Sequence, residues 1–132
     1  MVRMNSTAPT SALLLFAHGS SDPGWAKPFV RLRAAIQARD PARRVELAYL
    51  ERMQPSFDEV VNALHAEGVT EITVAPIFLA LGGHLRNDLP NMIAATRQRT
   101  AIRFRVLPAL GESEALIHAI ADWVDETAAA GG

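Results

Sequence analysis

Four short apolar runs alternate with four segments of helical periodicity, and this alternation limits the chain to a small set of folds. The runs occupy residues 12–17, 45–50 and 102–107, with another that begins near residue 71. A β-α-β-α order of this kind is typical of a parallel sheet with right-handed crossovers and helices on both faces. We therefore predict an α/β fold, a single doubly wound domain whose four-stranded parallel sheet has the order 2-1-3-4.

Each helical segment places apolar residues along one face. Pro90 should lie in the first turn of the third helix, which makes Asp88 its predicted N-cap, whereas a helix that begins at His84 should be kinked at Pro90. Ser113 is the predicted cap of the last helix. The four apolar faces are Trp25, Phe29, Leu32 and Ile36; Phe57, Val60, Val61 and Leu64; Leu89, Met92, Ile93 and Thr96; and Leu116, Ile117, Ile120 and Val124.

The length of 132 residues suits one domain of ordinary size. We predict a flexible N-terminal tail at residues 1–10, one domain at 11–127 and a flexible C-terminal tail at 128–132.

Composition excludes several classes of protein. The chain has no cysteine, so disulfides, thiolate metal sites and cysteine nucleophiles are excluded. A net charge of -1 provides no strong field for nucleic acid or membrane, and neither partner is expected. No apolar run approaches the roughly 20 residues of a membrane span. The run at 12–17 passes directly into His18 and indicates a strand rather than a signal peptide, so we expect a cytoplasmic protein.

Three polar residues, His18, Glu51 and His84, each follow a predicted strand. In the order 2-1-3-4 these strands are neighbours, and open α/β sheets bind ligands at this carboxyl edge. The interval from His18 to Glu51, about 33 residues, equals that from Glu51 to His84 and matches one βαβ step. Two imidazoles and one carboxylate suit a divalent first-row metal such as Co, Ni, Fe or Zn, and they accept protons near neutral pH.

Each of these residues also has an ordinary interpretation. A single histidine after a strand is usually a loop residue bonded to backbone, Glu51 can be a solvated strand end, and Arg86 can pair with Asp88 on the surface. The functional interpretation depends on three matched positions at one predicted edge. His65 and His118 lie beside helical stripes and are interpreted as surface residues.

Motifs around the three residues cover most of the chain: FAHGSSDP at 16–23, YLE at 49–51, PS at 55–56, PIFL at 76–79 and GGHLRNDLP at 82–90. Together they resemble the small class II tetrapyrrole chelatases, the sirohydrochlorin cobaltochelatases of the CbiX type and the related ferrochelatases. By this resemblance, His18 and His84 take the positions of the family's two active-site histidines, and Glu51 matches the acidic residue that accompanies them.

The resemblance implies an enzyme that inserts a divalent metal, Co2+ first and Fe2+ or Ni2+ otherwise, into the polycarboxylate tetrapyrrole sirohydrochlorin. Cobalamin and sirohaem biosynthesis both use such a step. The metal is then a substrate held by His18, Glu51 and His84, and no permanently bound cofactor is expected. Larger relatives carry two such units in one chain, so a homodimer is implied.

Substrate carboxylates need cationic or N–H partners, and the candidates by position are Ser20, Ser21, Arg52 and Arg86. The chain departs from many relatives before its last helix, where they read Leu-Gly-Pro-His and residues 110–113 read LGES. Local contacts there should therefore differ from those of the relatives.

Three other functions fit parts of the pattern. A non-catalytic carrier of divalent metal would use the same ligands without turnover. A histidine phosphatase would need Arg before His-Gly, where this chain has Ala17. A flavodoxin-like binding module would bind a nucleotide at the same edge. The chelatase alone accounts for both histidine motifs and the acid between them.

Overall fold

Four parallel strands form a sheet in the order β2-β1-β3-β4 in the computed structural model, which describes residues 10–131 and, for His84, only the backbone. The predicted fold class and strand order are confirmed. No helix in the described part of the chain is long and apolar enough to cross a membrane. The strands are β1 (Ser11–Ala17), β2 (Arg44–Tyr49), β3 (Glu71–Pro76) and β4 (Arg103–Val106). The helices are α1 (Lys27–Arg39), α2 (Phe57–Ala66), α3 (Gly83–Thr100) and α4 (Glu114–Ala130), with 3₁₀ turns at Pro23–Ala26 and Leu110–Glu112.

The sheet separates two apolar clusters, because successive side chains of β1 point to opposite faces. Leu14 and Phe16 face the cluster that includes α2 and α3, and Leu15 faces the smaller cluster beneath α1. Pairing of β1 with β2 on one side and β3 on the other makes β1 central, and β4 lies at an edge. Strand β1, which His18 directly follows, is therefore the most extensively paired strand of the sheet.

Helix α2 has an apolar face and a well-capped N-terminus. Ser56 accepts a hydrogen bond from the Glu59 N–H at 3.1 Å, and the Glu59 carboxylate accepts one from the Ser56 N–H at 2.8 Å. This reciprocal capping box satisfies two N–H groups that a helix start leaves free, and a cap of this kind contributes about 1 kcal/mol. It fixes where the chain leaves the loop after β2.

The start of α3 differs from the prediction. The helix begins at Gly83 with Gly82 as N-cap, so Asp88 is not the cap and Pro90 lies inside the helix. Pro90 removes one backbone hydrogen bond, yet Leu85 and Leu89 in the extended first turns are 7% and 3% exposed. Burial of these two side chains offsets the cost of proline, and the helix begins next to the glycine pair.

The last helix is also longer than expected. Ser113 caps α4 as predicted, accepting from the Leu116 N–H at 3.2 Å, but the helix continues through Ala130. The predicted C-terminal tail includes residues 128–130, whereas alanine is the strongest helix former and the helix stops only before Gly131. The predicted tail at 1–9 lies outside the described residues, and the domain boundaries stay predictions.

Tyr49 provides a direct test of the cluster beneath α1, because it is the single tyrosine of the chain. Burial raises the pKa of its phenol above the ordinary value. The folded state favours the neutral phenol, so this contribution to stability is complete below pH about 10 and is lost as pH rises through the folded pKa. We expect phenolate absorbance to show a midpoint above 10.0 in the folded protein and about 10 in urea. Equal midpoints in both states would contradict the packing of Tyr49.

Candidate functional site

The loops after β1 and β2 are joined by backbone hydrogen bonds that continue the sheet beyond its last paired residues. The Leu50 N–H donates to the Ala17 carbonyl at 2.8 Å, and the Glu51 N–H donates to the His18 carbonyl at 3.0 Å. His18 and Glu51 therefore stand side by side at the carboxyl edge, as predicted. Both residues are exposed, so their side chains are accessible to a ligand.

Gly19 makes this close approach possible. Its φ of +96 is a left-handed conformation, and a Cβ at this position would lie 1.8 Å from the Glu51 carbonyl oxygen. Any larger residue would have to push the two loops apart. The glycine after His18 is thus required by the backbone, and it sets the distance between the β1 and β2 loops.

The end of β3 supports the His18 ring. Phe78 is 7% exposed, and its ring meets the imidazole edge-on, with centroids 4.9 Å apart and an interplanar angle of 90°. The Ile77 N–H donates to the Phe16 carbonyl at 2.8 Å, which continues the β1–β3 pairing to this point. Sequence analysis did not single out Phe78, because an aromatic residue after a buried strand is typical of core.

His84 is the second residue of α3, directly after the glycine pair. Its side chain lies outside the described residues, so its predicted place beside His18 stays a prediction. A Cβ added at Gly82 or Gly83 would meet no described heavy atom within 4 Å, and neither glycine has a left-handed φ. The fold itself does not require glycine at these two positions, which leaves open space at the start of the helix.

The predicted metal ligands, His18, Glu51 and His84, stay a prediction. Among the side chains that the structure describes, no three His, Asp or Glu residues cluster closely enough to hold a metal ion. Since His84 is absent from that set, the predicted group of His18, Glu51 and His84 is neither confirmed nor contradicted.

The predicted substrate-binding residues lie on both sides of His18. Ser20 accepts a hydrogen bond from the Asp22 N–H at 3.1 Å, which orders the β1 loop, and Ser21 is exposed. Arg52 adopts a left-handed φ of 64, and its Nε lies 3.8 Å from a Glu51 carboxylate oxygen. A non-glycine residue in that conformation is uncommon, and such residues cluster at active sites and at other constrained segments such as helix ends, where Ala101 follows α3 with a φ of 59.

Two open depressions flank this edge. One, of about 620 Å³, is lined by Leu50, Glu51, Arg52, Met53, Gln54, Ser56 and Glu59. The other, of about 480 Å³, is lined by Leu79, Ala80, Leu81, Arg86, Ala109, Gly111 and Glu112. Arg52 and Arg86 therefore line different depressions, and the structure does not bring the two residues together.

The β3 loop is fixed from its far side by a second close approach that sequence analysis missed. The Gly111 N–H donates to the Leu79 carbonyl at 2.8 Å, and a Cβ at Gly111 would lie 2.2 Å from that oxygen. Leu79 itself is 61% exposed at the rim of the edge. The sequence hinted at this close approach only through Gly111 itself, which lies in the segment 110–113 where the chain departs from many relatives.

Comparison with known proteins identifies matches over most of the chain. The CbiX family model matches residues 12–127. A protein of Methanothermobacter thermautotrophicus named sirohydrochlorin cobaltochelatase is 33% identical over 85 residues, which are 64% of this chain and 59% of that relative. The chain therefore spans less than two thirds of the length of this curated relative.

Solved structures match the same region. A putative cobalamin biosynthesis CbiX protein from Marinobacter aquaeolei is 37% identical with a TM-score of 0.78, over 88% of this chain and 95% of that one. The sirohydrochlorin chelatase SirB from Bacillus subtilis subspecies spizizenii, in complex with cobalt, is 27% identical with a TM-score of 0.66. That match covers 75% of this chain and 43% of the chelatase.

Substitution of Gly19 tests the contact between the two loops. We expect Gly19→Ala to lower the free energy of unfolding by about 2 kcal/mol or more, because the left-handed penalty adds to the overlap with the Glu51 carbonyl. Gly24→Ala is the matched control in the same loop, where the nearest atom to a Cβ is 3.5 Å away. Urea denaturation of both variants gives the comparison. Equal stabilities would contradict the close approach.

Proposed function

Because this chain belongs to the CbiX family, we propose that it is a sirohydrochlorin chelatase that inserts a divalent metal into the tetrapyrrole. Co2+ is the proposed metal, and Fe2+ or Ni2+ are the alternatives that the same ligands accept. The relative named a cobaltochelatase and the cobalt complex of SirB support this choice.

One observation carries the proposal: the Glu51 N–H bonds to the His18 carbonyl at 3.0 Å, so an imidazole and a carboxylate share one open edge. We assign His84 to the same edge, because it is the second residue of α3, the helix that follows β3, and β3 is a neighbour of β1. In this proposal, three chain segments that follow neighbouring parallel strands would supply three nitrogen and oxygen donors to one ion. The Glu51 side chain is 55% exposed, which suits a large flat ligand better than an enclosed pocket would.

Metal insertion requires the ion to lose bound water and the ring to lose two pyrrole N–H protons. We assign His18 and His84 to holding the incoming ion or accepting these protons, since neutral imidazole does both near pH 7. Glu51 neutralises positive charge and orients an imidazole. Nitrogen and oxygen ligands suit this task because the ion must be passed on to the ring, and a thiolate would retain it.

The substrate carboxylates need charged partners at the rim. Arg52, with a side chain 63% exposed next to Glu51, is placed to bind one carboxylate on the β2 side. Arg86 is exposed and lines the depression on the β4 side, where it would bind another. Ser20 and Ser21 offer hydroxyl donors between them. A substrate with several carboxylates would thus be held from both sides of His18.

The remaining expectations follow from the proposed reaction. The metal is a substrate rather than a resident cofactor. Its identity decides between cobalamin and sirohaem biosynthesis as the pathway served. A homodimer would supply the second unit that larger relatives carry in one chain, and the 43% coverage of SirB supports this. The cytoplasmic location stays a prediction.

The four histidines of the chain provide a matched test of the proposal. We expect His18→Ala and His84→Ala each to reduce the rate of Co2+ insertion into sirohydrochlorin by roughly 100-fold or more, a typical contribution of a catalytic acid–base group. His65→Ala and His118→Ala are the controls, because both side chains are exposed outside this edge. Anaerobic absorbance spectra of sirohydrochlorin follow the reaction, and circular dichroism confirms that each variant folds.

Two results would contradict the proposal. If His84→Ala retains turnover, the assignment of that histidine is wrong. If the folded wild-type protein binds Co2+ tightly but accelerates insertion of neither Co2+, Fe2+ nor Ni2+, a metal carrier replaces the chelatase.

A further inference from the structure

His18 is an exposed residue of the carboxyl edge, yet its ring packs against a buried aromatic side chain. The imidazole meets the Phe78 ring at 90°, with the two centroids 4.9 Å apart. Aromatic rings prefer this edge-to-face arrangement at such a separation. An exposed side chain that could otherwise change rotamer therefore has one specific contact that favours a single orientation.

The pairing of β1 with β3 explains why these two rings meet. Phe16 lies opposite Pro76 in this pairing, and the Ile77 N–H donates to the Phe16 carbonyl at 2.8 Å. The same register continued by two residues puts His18 opposite Phe78, on the same face as Phe16, because side chains alternate along a strand. That face is covered by α2 and α3, so the imidazole lies on the α3 side of the sheet.

Phe78 is itself held on several sides. It is one of the buried residues of the apolar cluster that includes α2 and α3. Its ring meets the buried Phe16 ring at 89°, with centroids 6.1 Å apart, and Phe16 in turn contacts Phe57. The Phe78 carbonyl accepts a hydrogen bond from the Leu110 N–H at 2.8 Å. Both the backbone and the ring of Phe78 are thus anchored, and the ring can serve as a fixed support.

We propose that Phe78 is a positioning residue, which holds the His18 imidazole on the α3 side of the sheet in the orientation required to share a metal ion with His84. This role rests on the proposed function, because it deepens the part assigned there to His18. Phe78 has no atom that binds a metal or moves a proton, so it acts through His18. A small displacement of a reacting group reduces the rate strongly, because the ion and the ring nitrogens must meet in one geometry.

The rotamer of His18 tests this positioning without metal or turnover. In the wild type we expect the three-bond Hα–Hβ couplings of His18, measured by NMR, to have the values of a single χ1 rotamer. Phe78→Leu keeps an apolar side chain in the cluster but removes the ring, and we expect couplings averaged over several rotamers.

Phe57→Leu is the matched control for the loss of a buried ring. Phe57 is 2% exposed in the same cluster, and its ring contacts Phe16 rather than His18. This variant should keep the wild-type couplings of His18, while urea denaturation measures how much stability each of the two variants loses.

The kinetics of Co2+ insertion into sirohydrochlorin give a second readout. We expect Phe78→Leu to lower kcat by about tenfold and to change the KM for sirohydrochlorin by less than about twofold, because the buried ring orients His18 and does not bind the tetrapyrrole. Phe57→Leu should retain the wild-type kcat and KM, although it also removes a ring from the cluster.

Several results would overturn the proposal. Averaged couplings of His18 in the wild type, or those of one rotamer in Phe78→Leu, would show that Phe78 does not fix the imidazole. Equal losses of kcat in Phe78→Leu and Phe57→Leu would assign the support to the whole cluster. Normal insertion by Phe78→Leu would contradict the positioning role alone, whereas a wild type that accelerates no insertion would contradict the proposed function and this role with it.

Discussion

The candidate site depends on backbone hydrogen bonds that hold the loops together beyond the ends of the strands. Bonds from Leu50 and Glu51 to the end of β1 fix the β2 loop, and a bond from Gly111 to Leu79 fixes the β3 loop from the other side. Gly19 stands where a Cβ would strike the Glu51 carbonyl, at 1.8 Å. Because backbone groups rather than long side chains set these distances, the edge is rigid although its functional side chains are exposed.

The backbone of the carboxyl edge is rigid, yet the edge is not enclosed. The β1 loop carries an imidazole that packs at a right angle against the buried Phe78 ring, and the backbone of Glu51 is bonded to the backbone of His18 beside it. Both side chains are open to solvent, and the depressions on either side are open to a broad ligand. A rigid, open edge with nitrogen and oxygen donors suits brief retention of an ion next to a flat ring, which is the requirement of a metal chelatase. The absence of cysteine from the chain is consistent with such brief retention.

The alternation of apolar runs and amphipathic segments predicted the sheet order and the neighbouring positions of His18 and Glu51, because both follow from which strands are adjacent. Contacts between segments distant in sequence could not be predicted from these local patterns. Burial of Leu85 and Leu89 outweighed the local signal of Pro90 and moved the start of α3 towards the glycine pair. The approach of Gly111 to Leu79 joins loops about 30 residues apart, beyond any local pattern. The apolar stripe of α4 follows from its sequence pattern, but the pattern does not show that Ile117, Ile120 and Val124 stay exposed in the folded chain.

The central claim is that His18 and His84 act on one metal ion at this edge, and paramagnetic broadening of histidine ring signals by Co2+ tests it most directly. We expect substoichiometric Co2+ to broaden the ring signals of His18 and His84 together, in proportion to the metal added. His65, at the far end of α2, should keep a sharp signal and serves as the reference within the same sample. Broadening of His18 without His84, or of His65 to the same extent as both, would contradict a shared metal site at the carboxyl edge.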